Sequence, residues 1–259
     1  MKNLRIYGKA PHKLAVLHGG PGAAGEMEPV ARELSRDRGV LEPLQTAASV
    51  DGQVAELRAV LRERGDLPVT LIGFSWGAWL GYIFAARHPE FVNKLILIGS
   101  GGFEESSAVR VQETRLGRLS REERAEAESL VKSLESPVPS GRHDALPRLG
   151  EIFRKADAYD PLPCEPEGVE IRAEIFKSVW REAAQLRKSG QLLELGKRVL
   201  CPVAAIHGAY DPHPAEGVEK PLASVLRDFR FILLQRCGHK PWIERQAKAD
   251  FFACLRGLL

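Results

Sequence analysis

The chain alternates short, uninterrupted apolar runs with longer stretches whose apolar residues recur every three or four positions. LAVLH (Leu14–His18) reads as a strand, followed by a helix across Glu26–Arg38. A weaker strand at Val40–Gln45 precedes a helix at Gly52–Arg64. VTLIGF (Val69–Phe74) and KLILIG (Lys94–Gly99) bracket a helix over Ala78–Arg87. VAAIHG (Val203–Gly208) and FRFILL (Phe229–Leu234) come later, and a helix over Trp242–Leu258 closes the chain. The apolar runs are continuous rather than alternating, as strands covered on both faces require. Strand–helix alternation of this kind builds an open, doubly wound, mostly parallel α/β sheet, whose ligands gather at the carboxyl ends of the strands.

The rhythm breaks between residues 103 and 198, where the pattern is that of charged amphipathic helices interrupted by SPVPSG (Ser136–Gly141) and YDPLPCEPEG (Tyr159–Gly168). The expectation is an α/β core made of residues 1–102 and 199–259. A helical cap of residues 103–198 is inserted between two strands as a lid over their carboxyl ends.

Composition narrows the partners. The chain has 37 basic and 34 acidic residues, mixed along its length for a net charge of +3, so no basic groove for nucleic acid is expected. No apolar stretch approaches the ~20 residues needed to span a bilayer, which argues against a membrane partner. The N-terminus, MKNLRIYGKAPHK, is too charged for a signal peptide. Cys164, Cys201, Cys237 and Cys254 are scattered without CxxC spacing, so neither metal nor disulfide framework is expected. Free thiols and a cytoplasmic location follow as expectations.

GFSWG (Gly73–Gly77) places Ser75 between a strand and a helix, the context in which G-x-S-x-G exposes a nucleophile. The bland alternative is a serine N-cap. HGGPG (His18–Gly22) follows its own strand, and its bare backbone offers N–H donors for an oxyanion over Ser75. The amides of Gly20 and Trp76 are the candidate donors. Gly20, Gly22 and Gly25 also spell G-x-G-x-x-G, but the next strand ends at Gln45 rather than at an acid, which disfavours a dinucleotide-binding oxidoreductase.

A nucleophilic serine needs a base, and the base an orienting carboxylate. His239, in QRCGHKPW after the last strand, is the candidate base, with His213 a weaker one. Asp211, in HGAYDPHP after the penultimate strand, is the candidate acid, with Glu104 its nearest substitute. His207, at the end of a buried strand, reads as structural. All three favoured residues fall at carboxyl ends of strands.

HGGPG, GFSWG, ARHPEFVNKLILIG, GAYDPHP and GHKPW together resemble the α/β-hydrolase superfamily over residues 14–102 and 199–259. HGGPG with SWG is closest to its proline-iminopeptidase-like branch, whose members cleave N-terminal residues from peptides or act on small esters. Phe74 stands where that branch often has glycine, which makes it a candidate for the substrate pocket. The resemblance implies a cofactor-independent serine hydrolase that cleaves a small carboxylic ester or amide through an acyl-enzyme on Ser75. An aminopeptidase acting on short peptides would share the machinery, and a non-catalytic small-ligand-binding protein would keep only the pocket.

Overall fold

Seven segments pair into one sheet, in the spatial order β1-β4-β2-β5-β6-β8-β9. These are β1 (Leu4–Tyr7), β2 (Leu14–Leu17), β4 (Val40–Pro43), β5 (Val69–Phe74), β6 (Val92–Ile98), β8 (Val203–Gly208) and β9 (Phe229–Leu234). The coordinates are a computed structural model and describe residues 3–135, 145–163 and 170–259. SPVPSG, His143, Cys164 and the end of YDPLPCEPEG lie outside the described residues. Only β1 runs antiparallel, against β4; every other pairing in the sheet is parallel.

The continuous apolar runs behave as two-sided burial demands. β2, β5 and β8 are buried at every residue, whereas β9, at the sheet edge, is fully covered only at Leu234. The expected parallel, doubly wound sheet is therefore what forms, with β1 added ahead of Leu14 as an antiparallel edge strand.

Helices α1 (Glu28–Leu34), α2 (Val50–Arg64), α3 (Trp76–Arg87), α9 (Glu216–Val225) and α10 (Lys248–Leu258) complete the core. α3 is buried from Trp76 through Ala86, consistent with its near-unbroken apolar sequence. Between β6 and β8 the chain forms α4 (Glu105–Gly117), α5 (Arg121–Glu135), α6 (Ala145–Asp157), α7 (Ala173–Lys188) and the short α8 (Gln191–Glu194). The expected helical insertion also carries a two-residue strand, β7 (Glu170–Ile171), that pairs with β3 (Ala23–Ala24).

One boundary is corrected. The helix expected over Trp242–Leu258 is a single 3-10 turn at Pro241–Ile243 followed by α10 from Lys248. The helix is interrupted where the backbone pairs elsewhere: Glu244 is extended and bridges Pro161, and the Arg245 N–H donates to the Asp160 carbonyl before a turn leads into α10. Among the described residues no helix is long and apolar enough to cross a membrane.

Candidate active site

Parallel pairing puts the carboxyl ends of β2, β5, β6, β8 and β9 along one edge, with Leu17 beside Gly73, Phe74 beside Ile98, Ile98 beside Ile206, and Gly208 beside Leu234. The loops carrying His18–Gly22, Ser75, Asp211 and His239 all leave from that edge.

Ser75 has φ 50° and ψ −112°. A non-glycine residue held there costs about 1–3 kcal/mol and persists only where its surroundings enforce it. The surroundings are glycines. A Cβ on Gly73 would lie 2.1 Å from the Gly77 carbonyl oxygen, and one on Gly77 would lie 2.3 Å from that of Leu17. Both positions must lack side chains for the turn to close on itself and against β2. The Ser75 N–H donates to the Ile98 carbonyl at 2.9 Å, and its side chain makes no capping bond to α3. The N-cap alternative therefore does not hold.

The close approach of Gly77 to Leu17 and His18 also sets the HGGPG loop beside the first turn of α3. Gly20 and Gly22 there take φ 35° and 84°. Trp76 begins α3, where N–H groups have no acceptor within the helix. Its indole is spent elsewhere, donating to Gln53 Oε1 at 2.9 Å in the core.

Asp211 and His239 meet directly. His239 Nδ1 donates to Asp211 Oδ2 at 2.7 Å, and the carboxylate is fully enclosed. The His239 ring packs against Phe74, the residue before Ser75, with centroids 4.8 Å apart. A Cβ on Gly99, at the tip of β6, would lie 2.7 Å from the His239 carbonyl oxygen. Phe74 is 1% exposed and packs between the rings of His239 and Trp242. Glu104 is exposed at the start of α4. An open groove of about 780 Å³ along α2, lined by Asp51, Arg58, Glu63 and Arg87 among others, includes none of the candidate site residues.

Two groups not anticipated from sequence hold the His239 loop. The His239 N–H donates to the Asp157 carbonyl at 2.8 Å, and the Asp157 side chain is clamped by Arg115 through two 2.7 Å bonds. Glu244, 0% exposed, accepts from the N–H groups of Gly238, Tyr159 and Asp160, each at 2.8 Å. Its sequence signal is a lone acid in the otherwise apolar PWIE. Lys240 pairs with Glu26 at 2.8 Å, tying this loop to the segment after HGGPG.

Electrostatics follow from burial against pairing. Burial alone would raise the Asp211 carboxyl, but His239, His213 and His207 pull it well below its usual range. Burial alone would lower His239, yet Asp211, through charge and hydrogen bond, raises it above 6.5, aided by Asp157 and opposed by Arg115. For His213 burial prevails and the net shift is downward. His213 also reaches Asp211, with its Nδ1 and its backbone N–H each 2.8 Å from Oδ1. The metal-binding atom types of Asp211, His213 and His239 lie within 4.8 Å of one another, but both Nδ1 atoms are engaged with carboxylate oxygens at hydrogen-bond distance. His207 Nε2 donates to the His213 carbonyl at 2.8 Å.

The family model for alpha/beta hydrolases matches residues 16–253. The chain belongs to the α/β hydrolase family. Its sheet and flanking helices are the α/β-hydrolase fold, and as a member of the family it is a hydrolase. A proline iminopeptidase of Lactobacillus delbrueckii subsp. bulgaricus is 25% identical over 284 aligned positions, spanning 94% of this hydrolase and 90% of the relative. A pimeloyl-[acyl-carrier protein] methyl ester esterase of Chromobacterium violaceum is 28% identical over 196 positions, spanning 73% and 69%. The crystal structure of a proline iminopeptidase of Mycobacterium smegmatis aligns with a TM-score of 0.64 at 20% identity, over 98% of this chain and 93% of that one.

Proposed function

We propose that this α/β hydrolase is a serine hydrolase that cleaves small carboxylic esters or amides through an acyl-enzyme on Ser75. The observation that carries the reading is the His239–Asp211 pair, packed through Phe74 onto the strained turn that holds Ser75. The neutral His239 Nε2 takes the Ser75 proton as Oγ attacks the carbonyl carbon. Asp211 stabilises the imidazolium and fixes its tautomer. The Gly20 and Trp76 amides receive the oxyanion. His239 then returns the proton to the leaving alcohol or amine, and water, deprotonated by His239, releases the acid. No redox step or external cofactor enters this scheme. The insertion acts as the lid that selects substrate.

An aminopeptidase on short peptides is the second reading, supported by the iminopeptidase relative. Such an enzyme must hold a substrate ammonium. Of the carboxylates described around the site, Asp157 pairs with Arg115, Glu26 with Lys240, and Glu244 with backbone N–H groups, which favours the ester or neutral amide. Ser75→Ala should leave a folded protein whose turnover drops by about three to six orders of magnitude, the scale of losing a triad serine. Labelling of wild type by a fluorophosphonate probe, and its loss in the variant, checks the nucleophile. A screen of p-nitrophenyl esters beside aminoacyl-p-nitroanilides separates the two substrate readings. Near-normal turnover by Ser75→Ala would refute both.

A further inference from the structure

Two imidazoles converge on one carboxylate. Asp211 Oδ2 accepts from His239 Nδ1 at 2.7 Å, and Oδ1 accepts from both the ring Nδ1 and the backbone N–H of His213, each at 2.8 Å. The two rings lie against each other with centroids 4.7 Å apart and planes tilted by 31°. His213 sits between Pro212 and Pro214, whose fixed φ restricts the backbone, and His207 Nε2 holds its carbonyl at 2.8 Å. Phe74 and Gly99 also meet His239, while His213 takes the other carboxylate oxygen.

From this geometry we infer that His213 is a positioning residue. Its Nδ1–H and backbone N–H together lock Asp211 Oδ1, so that Oδ2 stays aimed at His239. The inference rests on the serine-hydrolase reading for its effect on rate, but not for its effect on the His239–Asp211 bond.

The chemistry requires this division of labour. A carboxylate in a closed site offers lone pairs on both oxygens and needs a donor for each. With the ring donor removed, Oδ1 keeps only the backbone N–H of residue 213, a single anchor about which the carboxylate can rotate, and displacement on the ångström scale is costly in a catalytic constellation. One carboxylate also balances only one positive charge. The charged or titratable groups facing His213 are Asp211, His239, His207 and Arg115, and of these only Asp211 is negative. A neutral His213 donates its hydrogen bond without competing with the His239 imidazolium for that charge.

His213→Phe keeps a ring against His239 and removes the side-chain donor. His213→Asn restores a donor, since the Asn amide nitrogen occupies the place of Nδ1. With a p-nitrophenyl ester, His213→Phe should lower kcat by about 10- to 100-fold with KM nearly unchanged. His213→Asn should return kcat to within about threefold of wild type, because a neutral amide donor replaces a neutral imidazole donor. The downfield proton resonance of His239 Nδ1–H should be lost or broadened in His213→Phe and kept in His213→Asn. If wild type neither labels with fluorophosphonate nor hydrolyses any ester, the serine-hydrolase reading falls, and the resonance alone decides the role of His213. Wild-type kcat and an unchanged resonance in His213→Phe, or an Asn variant as impaired as the Phe variant, would overturn the proposal.

Discussion

The net upward shift of His239 has a direct consequence for rate. In the proposed mechanism His239 is the base and must be neutral to accept the Ser75 proton, so activity should fall as pH drops through its pKa. Burial opposes the charged ring and Asp211 favours it; the pairing prevails, so the inflection of kcat/KM should lie above 6.5 in wild type. Asp211→Asn removes the favourable charge and leaves burial, so the inflection should move below 6.5 while the rate drops by roughly four orders of magnitude, as a mis-set tautomer does in other triads. A pH profile of both proteins checks the sign, and an inflection that stays in place in the variant would remove Asp211 from the pair. At this scale the sequence was informative where chemistry needs a rare local pattern. Ser75 between two required glycines, and an acid and a histidine in loops after strands, are such patterns. It was silent where a role depends on packing between distant segments. The packing of the Phe74 ring on His239 has no local signature, and His213 reads as a spare base until it is seen to share Asp211.

Among elements, the helix missed in the sequence and the boundary misread share one cause: backbone groups that find partners outside their own segment. α9 was not legible because it contains Pro221. Proline lacks the N–H that would reach the carbonyl four residues back, that of Gly217. That carbonyl instead accepts from the Phe103 N–H at 3.0 Å, so the helix tolerates its proline and anchors the start of the insertion. The same logic breaks the last helix, where Glu244 gathers three N–H groups from two segments. Glu244→Gln keeps the shape but turns an amide donor toward one of those N–H groups. It should cost about 3 kcal/mol, as buried donors lose their acceptor. For a chain of this size that lowers Tm by roughly 5–10 °C. Because Gly238 precedes His239, kcat should fall as well. Differential scanning calorimetry with ester hydrolysis tests the pair of effects, and a variant unchanged in both would show that Glu244 does not hold the loop.

Across the whole molecule, the insertion is not one unit. Ile175, Val179 and Ala183 of α7 belong to the same buried cluster as Trp79 and Phe84 of α3 and Leu95 of β6. Ala127 and Leu130 of α5 form a separate small cluster with Ala145, Leu149 and Ile152 of α6. A small satellite core buries less apolar area, so it should open at lower free energy than the main core. Native-state hydrogen exchange in increasing urea should therefore show the amides of Leu130 and Ile152 exchanging through a partial opening, with a small dependence on urea. The amides of Val179 and Ala183 should join those of α3 in global unfolding. This partition bears on activity, because α6 ends at Asp157, whose carbonyl holds the His239 N–H and whose side chain is clamped by Arg115 of α4. Opening α5 and α6 loosens that attachment while the sheet remains intact. Ester hydrolysis should accordingly decline at urea concentrations where the far-ultraviolet circular dichroism still reports native β structure. If all of these amides merged into one exchange isotherm, and activity and secondary structure were lost together, the α5–α6 pair would be an integral part of the main core and the proposed partial opening would not exist.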